Sequence, residues 1–433
     1  MTPQSSFMVM ARVDRAREAE LRALLASMNH GPGRADPHNA LVPFAQYDAL
    51  HFARFLILDD LTLGDGKLYE LPPFDPPLEL VLLLEHDGDS RALVARLARG
   101  SEPGLRAIFS CCDDFTPGTD LAAWMNAHSR PAAATYIHQV GRTTARVREE
   151  AALYDALEAY LDANAALAGR SAADVHAAVR AFVNGETAAG RLTLSPERAT
   201  PPGWQMRKLL NLIGVPLLLL IFSLPLGVAA AVLLLRVRML EGTDPEYCPR
   251  PDPRHVDLLS SLEDHDVTNQ FSAMGTIKPG FARRTACVSI LFLLDFAVRH
   301  LYARGRLARV RTIHFARWTF VDDAKRRLLF TSNYDGSLDS YMDDFINKVA
   351  FGLNLVFSNG IGYPRSRWLV AGGAKDEQPY KNYIRRHELP TQVWYNSHPG
   401  LNATDLERNM LVRNGVETEA LSEPQAREWL ALL

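Results

Sequence analysis

Along residues 1–140 the apolar positions fall into short blocks separated by charged or turn-forming stretches. Phe7–Val13 (FMVMARV) predicts a strand. Asp14–Met28 spaces Ala16, Leu21, Leu24 and Leu25 at helical intervals among charges, and predicts an amphipathic helix. Asn29–Asn39, rich in Gly, Pro, His and Asn, predicts a loop. Strands follow at Leu50–Leu58 and Leu78–Glu85, then a helix from about Ser90 to Arg99, then a fourth strand at Thr135–Val140.

The order returns in the second half. Thr268–Ile277 predicts a strand, Phe281–Arg304 a long helix, Thr312–Val321 and Arg327–Ser332 strands, Leu338–Val349 a helix and Gln392–Tyr395 a strand. The letters return with it. Leu50–Asp60 is LHFARFLILDD and Ile313–Asp323 is IHFARWTFVDD. Asp87-Gly88 is followed by Gly104-Leu105 and Phe109-Ser110; Asp335-Gly336 is followed by Gly352-Leu353 and Phe357-Ser358 at the same offsets. His128 to Pro131 precedes Tyr136 and Gly141 as His387 to Pro390 precedes Tyr395 and Gly400. An ordered set of matches at fixed spacing is the signature of an internal duplication.

The order β-α-β-β-α-β is that of a ferredoxin-like unit. Each such sheet keeps an apolar face that needs a cover. The expected fold is therefore α+β: two tandem ferredoxin-like repeats, sheets face to face in a pseudo-dimeric barrel, with a helical insert and a membrane-embedded apolar segment. The expected divisions are 1–146 for the first repeat, 147–204 for an Ala-rich helical insert and linker, 205–240 for the membrane segment, and 241–433 for the second repeat with a C-terminal extension.

Leu209–Leu235 runs 27 residues without a charge, and about 20 apolar residues span a bilayer as a helix. Arg207 and Lys208 precede it and Arg236 and Arg238 follow, so the flanks alone assign no orientation. A single span would part the two repeats. Pro216, Pro225, Gly214 and Gly227 offer breaks for a re-entrant hairpin, which would leave both repeats on the cytoplasmic side. The helix from Phe281, with Asp295 inside it and Arg299, His300, Arg304 and Arg306 after, either covers the second sheet or lies at the lipid interface.

Composition narrows the partners. The net charge is −3, and the 47 basic residues are spread along the chain, which points away from nucleic acid. Cys111, Cys112, Cys248 and Cys287 have no zinc spacing, and adjacent Cys111 and Cys112 are expected to be buried thiols. The N-terminal stretch has no basic segment leading into an apolar core, so no secretory signal is expected.

Two stretches offer chemistry. His314-Phe-Ala-Arg317 lies on a predicted strand, whose alternation puts His314 and Arg317 on opposite faces. Its copy at His51–Arg54 favours a structural role, such as a satisfied buried histidine or an ion pair to Asp59/Asp60 and Asp322/Asp323. Asp335-Gly336, like Asp87-Gly88, predicts a turn with Gly at positive φ and Asp335 or Ser337 capping the next helix. Gly360-Ile-Gly362 and Gly372-Gly373 do not complete a nucleotide-binding loop, and Arg365, Arg367 and Lys375 beside them predict a solvated loop or an anion contact.

Paired ferredoxin-like repeats with Asp-Gly at this strand end resemble the superfamily of dye-decolourising peroxidases and chlorite dismutases. The match is to the GxxDG of those peroxidases; here it is Ser332-Asn-Tyr-Asp335-Gly336, without the first glycine. The resemblance implies haem, with Asp335 as the distal acid and a histidine as the axial ligand. His398, followed by Arg408, gives the Asp–His–Arg order of those peroxidases; His314 and His387 are the other histidines available. The implied catalytic set is Asp335, Arg408 and Arg317. The implied cofactor-binding set is His398, His314 and Asn333, with His398 on the metal. Three functions are expected. The first is a membrane-associated, haem-dependent, peroxidase-like oxidoreductase for an apolar or lipid-like substrate. The second is a non-catalytic membrane protein that binds lipid or a partner. The third is a cofactor-free α+β barrel monooxygenase with Asn333, Tyr334 and His314 around its substrate.

Overall fold

The computed structural model describes every residue except 303, 304, 306 and 308; Arg304 and Arg306 thus lie outside the described residues. The chain is mixed α+β. Its main strands are β1 (Gln4–Arg12), β2 (Leu50–Leu58), β3 (Glu79–Asp87), β4 (Ala134–Ile137), β5 (Thr268–Thr276), β6 (Ile313–Phe320), β7 (Arg327–Asp335) and β8 (Thr391–Asn396). In the first half, helices α1 (Glu18–Ala26), α2 (Ser90–Gly100), α3 (Glu102–Phe109) and α4 (Leu121–Ala127) cover one sheet. The insert is α5 (Thr144–Ala163) and α6 (Ala172–Ala188), and the apolar segment is α7 (Pro202–Ile221) and α8 (Ser223–Thr243). After α9 (Pro253–Ser260), helices α10 (Phe281–His300), α11 (Leu338–Phe357) and α12 (Glu377–His387) pack on the other sheet. The chain ends in α13 (Ala403–Glu417) and α14 (Glu423–Leu430).

Each predicted strand is present, but the fourth strand of each half does not join its own half. One sheet runs β1-β3-β2-β8, with a short hairpin (Asn29–Gly31, Arg34–Ala35) at its edge; the other runs β5-β7-β6-β4. β8 pairs antiparallel with β2, Tyr395 opposite Ala53, and β4 pairs antiparallel with β6, Tyr136 opposite Ala316. The exchange is reciprocal. Elsewhere the registers are copies: Gln4 to Arg12 faces Asp87 to Glu79, and Thr268 to Thr276 faces Asp335 to Arg327.

The sheets also meet face to face. Met8, Met10, Leu56, Leu58, Val81 and Leu83 form one apolar cluster with Met274, Val321, Leu329 and Leu389. β2 is buried along its whole length, as a strand covered on both faces must be.

Beside this cluster the interface is polar. Arg54 donates to the Phe271 carbonyl (2.9 Å), Ser272 Oγ (3.0 Å), the Ser332 carbonyl (3.0 Å) and Asn333 Oδ1 (2.6 Å). Asn333 donates in turn to Glu85. Arg317 returns the favour, donating to the Ser6 carbonyl (3.0 Å) and Ser6 Oγ (2.9 Å), and to the Arg130 carbonyl. Each arginine of the duplicated His-Phe-Ala-Arg stretch thus ties its own half to the other. Burial pushes Arg54 down to about 10, which leaves it charged at neutral pH, and pushes Glu85 up, opposed by the Arg54 charge.

α7 and α8 are long and apolar enough to cross a membrane. They meet at a break at Phe222, and almost none of their apolar windows is buried against the body (0% and 6%). Both bases return to the same body. Asn211 Oδ1 of α7 stands 2.7 Å from His300 Nε2 at the end of α10. At the base of α8, Val237 packs with Ala286 and Leu369. Glu241 accepts from Ser366 Oγ (3.1 Å) and from the backbone N–H groups of Trp368 (2.7 Å) and Leu369 (2.8 Å). Trp368 and Leu369 have φ of 55° and 60°, which turns successive N–H groups toward one carboxylate. Asp244, just past α8, pairs with Lys278 (2.7 Å) and Arg283.

α5 and α6 form the expected helical pair, but they pack with α13 and α14 through Leu153, Leu157, Val179, Val412, Val416 and Trp429. Cys111 and Cys112 are buried and unbridged.

Replacing Arg54 with Met is expected to destabilise the protein by about 3 kcal/mol or more, since it strands the Glu85 charge and several buried acceptors. Arg408→Ala, at a half-exposed site over Tyr154, should cost less than about 1 kcal/mol. Denaturant unfolding of the detergent-solubilised chain measures both.

Candidate functional site

The two copies build the same device at one end of the sheets. In β2 the register shifts between Leu50 and Phe52, and in β6 between Ile313 and Phe315. The residues left over are His51 and His314. A bulge turns an extra side chain out of strict alternation, so His314 and Phe315, neighbours in sequence, serve one site. His51 Nε2 meets Asp87 Oδ1 at 2.9 Å, and His314 Nε2 meets Asp335 Oδ1 at 2.6 Å. Each aspartate's other oxygen accepts the first N–H of the helix that follows the exchanged strand: Thr144 N to Asp87 Oδ2, Ala403 N to Asp335 Oδ2, both 2.8 Å. Helix N-termini favour such a carboxylate. Gly88 and Gly336, at φ of 78° and 83°, make the turns that place the pairs, as expected. Asp89 and Ser337 cap the helices beyond them.

The rings of the two stretches interleave. His51 lies 5.6 Å from the ring of Phe315, His314 lies 5.7 Å from Phe52, and Phe52 and Phe315 meet edge to face at 5.8 Å. His398 stands 6.1 Å from His51 and 6.0 Å from His314; His138 stands 6.2 Å from His314. All four histidines line a cavity of about 30 Å³, room for a water or two. Among the described residues, neither ring nitrogen of His138 nor Nε2 of His398 has a hydrogen-bond partner, and all three are buried. Burial, then the nearness of His314, pushes His138 down to about 3; burial followed by His314 and His51 holds His398 well below the ordinary range. Both rings are neutral at neutral pH.

The expected site residues divide. Asp335, His314 and His398 come together. Arg317 and Asn333 lie in the inter-sheet network, where Asn333 Oδ1 accepts from Arg54 and from Trp394 Nε1 (3.0 Å). Arg408 lies over the ring of Tyr154 at 3.7 Å, on α13, with Asp405 at 3.4 Å. Tyr334 stacks on Tyr341 at 4.0 Å under the helices, so Asn333, Tyr334 and His314 do not converge. The ion pairs expected from His-Phe-Ala-Arg to Asp59, Asp60, Asp322 and Asp323 do not form. Arg22 approaches Asp59, Arg130 pairs with Asp323, and the histidines use Asp87 and Asp335 instead. His387 and its copy His128 are both helix-end residues, Nδ1 donating to the carbonyls of Tyr383 (2.8 Å) and Trp124 (2.9 Å).

The residues do not fit the haem that the resemblance implies. The cavity at His398 is far smaller than a porphyrin, and both oxygens of Asp335 are engaged. No chemical step is drawn through haem. Of the site's members, His138 went unnamed in the sequence reading, while His51 and Asp87 were read as structural copies of His314 and Asp335.

Comparison with protein-family models, with curated proteins and with solved structures finds no match to this chain.

His387 makes acid stability testable apart from that cluster. An unfolded histidine titrates near about 6.5, and burial pushes His387 down to about 4. As pH falls the unfolded chain takes the proton first. The contribution is complete above about 6.5 and drains between there and about 4, by up to roughly 1.4 kcal/mol per pH unit. The chain is therefore expected to lose more stability between pH 7 and pH 5 than His387→Gln does, in denaturant midpoints at the two pH values.

Proposed function

We propose that this chain is a bilayer-docked protein that binds a lipid surface through the bent pair α7–α8, with both halves of the two-sheet body on one side. The observation that carries this reading is the pair itself: two long apolar helices left bare, whose bases return to one body. Leu220 and Leu224, either side of the break, are 71% and 78% exposed. A bare apolar surface of this length in water is strongly unfavourable.

The bases support it. In the first turns of α7 Lys208 lies over the ring of Trp204 at 5.1 Å, and near the end of α8 Arg238 lies over Trp368 at 5.9 Å. Tryptophan and basic residues gather where hydrocarbon gives way to headgroups. With both bases on one side, their basic residues favour the cytoplasmic side for the body by the positive-inside rule. α10, which packs beside α8 and α7, exposes Phe292 and Leu293. The reciprocal strand exchange disfavours a single span, which would have to pull β4 from β6 and β8 from β2. The space between the sheets is filled by the apolar cluster and the Arg54 network, so lipid is bound at the outer surface rather than inside a barrel.

Vesicle co-sedimentation and protease protection test the reading. The Leu220→Asp/Leu224→Asp double variant is expected to lose vesicle partition by about 100-fold or more, given roughly 2.5–3.5 kcal/mol per aspartate at mid-membrane. Tags at the two termini are expected to be equally accessible in sealed vesicles. Protection of one terminus only, or undiminished partition of the variant, overturns it.

A further inference from the structure

We propose that α7 and α8 form a wedge that enters one leaflet of a bilayer and ends near its midplane, so that the partner this surface fits is a single phospholipid leaflet. The inference rests on the bilayer-docked reading above and adds the depth of insertion. Length carries it. The charge-free run is divided at Phe222 into Leu209–Ile221 and Ser223–Leu235, 13 residues each. A helical arm of that size is about 20 Å long, whereas the hydrocarbon core is about 30 Å thick. Neither arm reaches the far side, and each is long enough for one leaflet of about 15 Å.

α10 sets the spread of the arms. Asn211 near the foot of α7 meets His300 at the end of α10, and Val237 at the foot of α8 packs with Ala286 near its beginning. From Ala286 to His300 is about 21 Å of helix. Arms of about 16 Å (Asn211 to Phe222) and about 22 Å (Phe222 to Val237) on that base put the apex about 15 Å from α10. Between the feet α10 exposes Phe292 and Leu293, as a helix lying along the lipid interface does. The charges stand at the feet: Arg207 and Lys208 before the first arm, Arg236 and Arg238 after the second, at the level of the headgroups.

The apex suits hydrocarbon rather than water. A pair that crosses and returns must turn in water on the far side, where connecting segments are polar. Here the turn is Leu220-Ile-Phe-Ser-Leu224, then Pro225 and Leu226. Pro225 has no N–H for the Ile221 carbonyl and its ring crowds that group, which breaks the helix. The break is short. The Phe222 N–H still reaches the Leu218 carbonyl (3.0 Å), and the Phe222 carbonyl still accepts from the Leu226 N–H (2.9 Å). Little backbone is therefore freed where lipid offers no partner.

The test uses the full chain with Cys248→Ser, which leaves the buried Cys111, Cys112 and Cys287 as its native thiols. One bimane label is placed at Leu224→Cys beside the apex, or at Met206→Cys in the first turns of α7. The chain is added to preformed sealed vesicles of phosphatidylcholine and phosphatidylglycerol, with iodide outside or trapped inside as quencher. The apex label is expected to lose no fluorescence to iodide on either side, and to lose most to lipids brominated near the acyl-chain ends. The label at position 206 is expected to lose fluorescence to outside iodide only. Oil droplets coated with a monolayer of the same phospholipids are expected to take up the chain as the vesicles do. Quenching of the apex by trapped iodide means that the arms cross, and overturns the one-leaflet wedge while bilayer docking stands. A bound chain whose apex is quenched by outside iodide, or one that vesicles bind and droplets reject, overturns it equally. A chain that stays in the supernatant, with the bare helices covered by a second copy, overturns both this inference and the bilayer reading.

Discussion

Each sheet is finished by a strand from the opposite half, and the rest of the molecule depends on that exchange. It places Trp394 of β8 against Asn333, brings the helix N-termini of α5 and α13 to Asp87 and Asp335, and carries His138 and His398 to the ends of the sheets. Glu85 and Asn333 occupy matching register positions, two before Asp87 and Asp335, and touch each other. A duplicated pair of carboxylates there would repel in a buried setting. The second copy carries the amide, and Arg54 balances the charge that is left.

The duplication was legible because its matches were ordered and evenly offset, and the element positions followed from period and turn residues. The partner of a fourth strand was not. Local pattern tells a strand from a helix, but the choice between one's own sheet and a neighbour's is made by contacts hundreds of residues apart, such as Tyr395 with Ala53. The faces of His314 and Arg317 were misjudged because strict alternation ignores the bulge at His314. α13 and α14 were passed over although each starts with a capping box, Asn402 with Asp405 and Ser422 with Gln425. The helix expected to stop at Val349 continues beyond a kink at that residue.

The two bare helices are not held alike. α8 is fixed by Glu241 in its ring of N–H groups and by Asp244 between Lys278 and Arg283, whereas α7 meets α10 through Asn211 and His300. Local stability follows the density of buried contacts, so α8 is the stiff member and α7 the compliant one.

The order of the chain has a consequence for biosynthesis. A ribosome releases β1, β2 and β3, then α7 and α8, and only about 150 residues later β8, which completes the first sheet. The greasy helices therefore emerge while the edge of β2 is still open, and unpaired strand edges are where nascent chains misassociate. Early capture of α7 and α8 by a lipid surface would tether the unfinished half and shorten the search by which β8 finds β2.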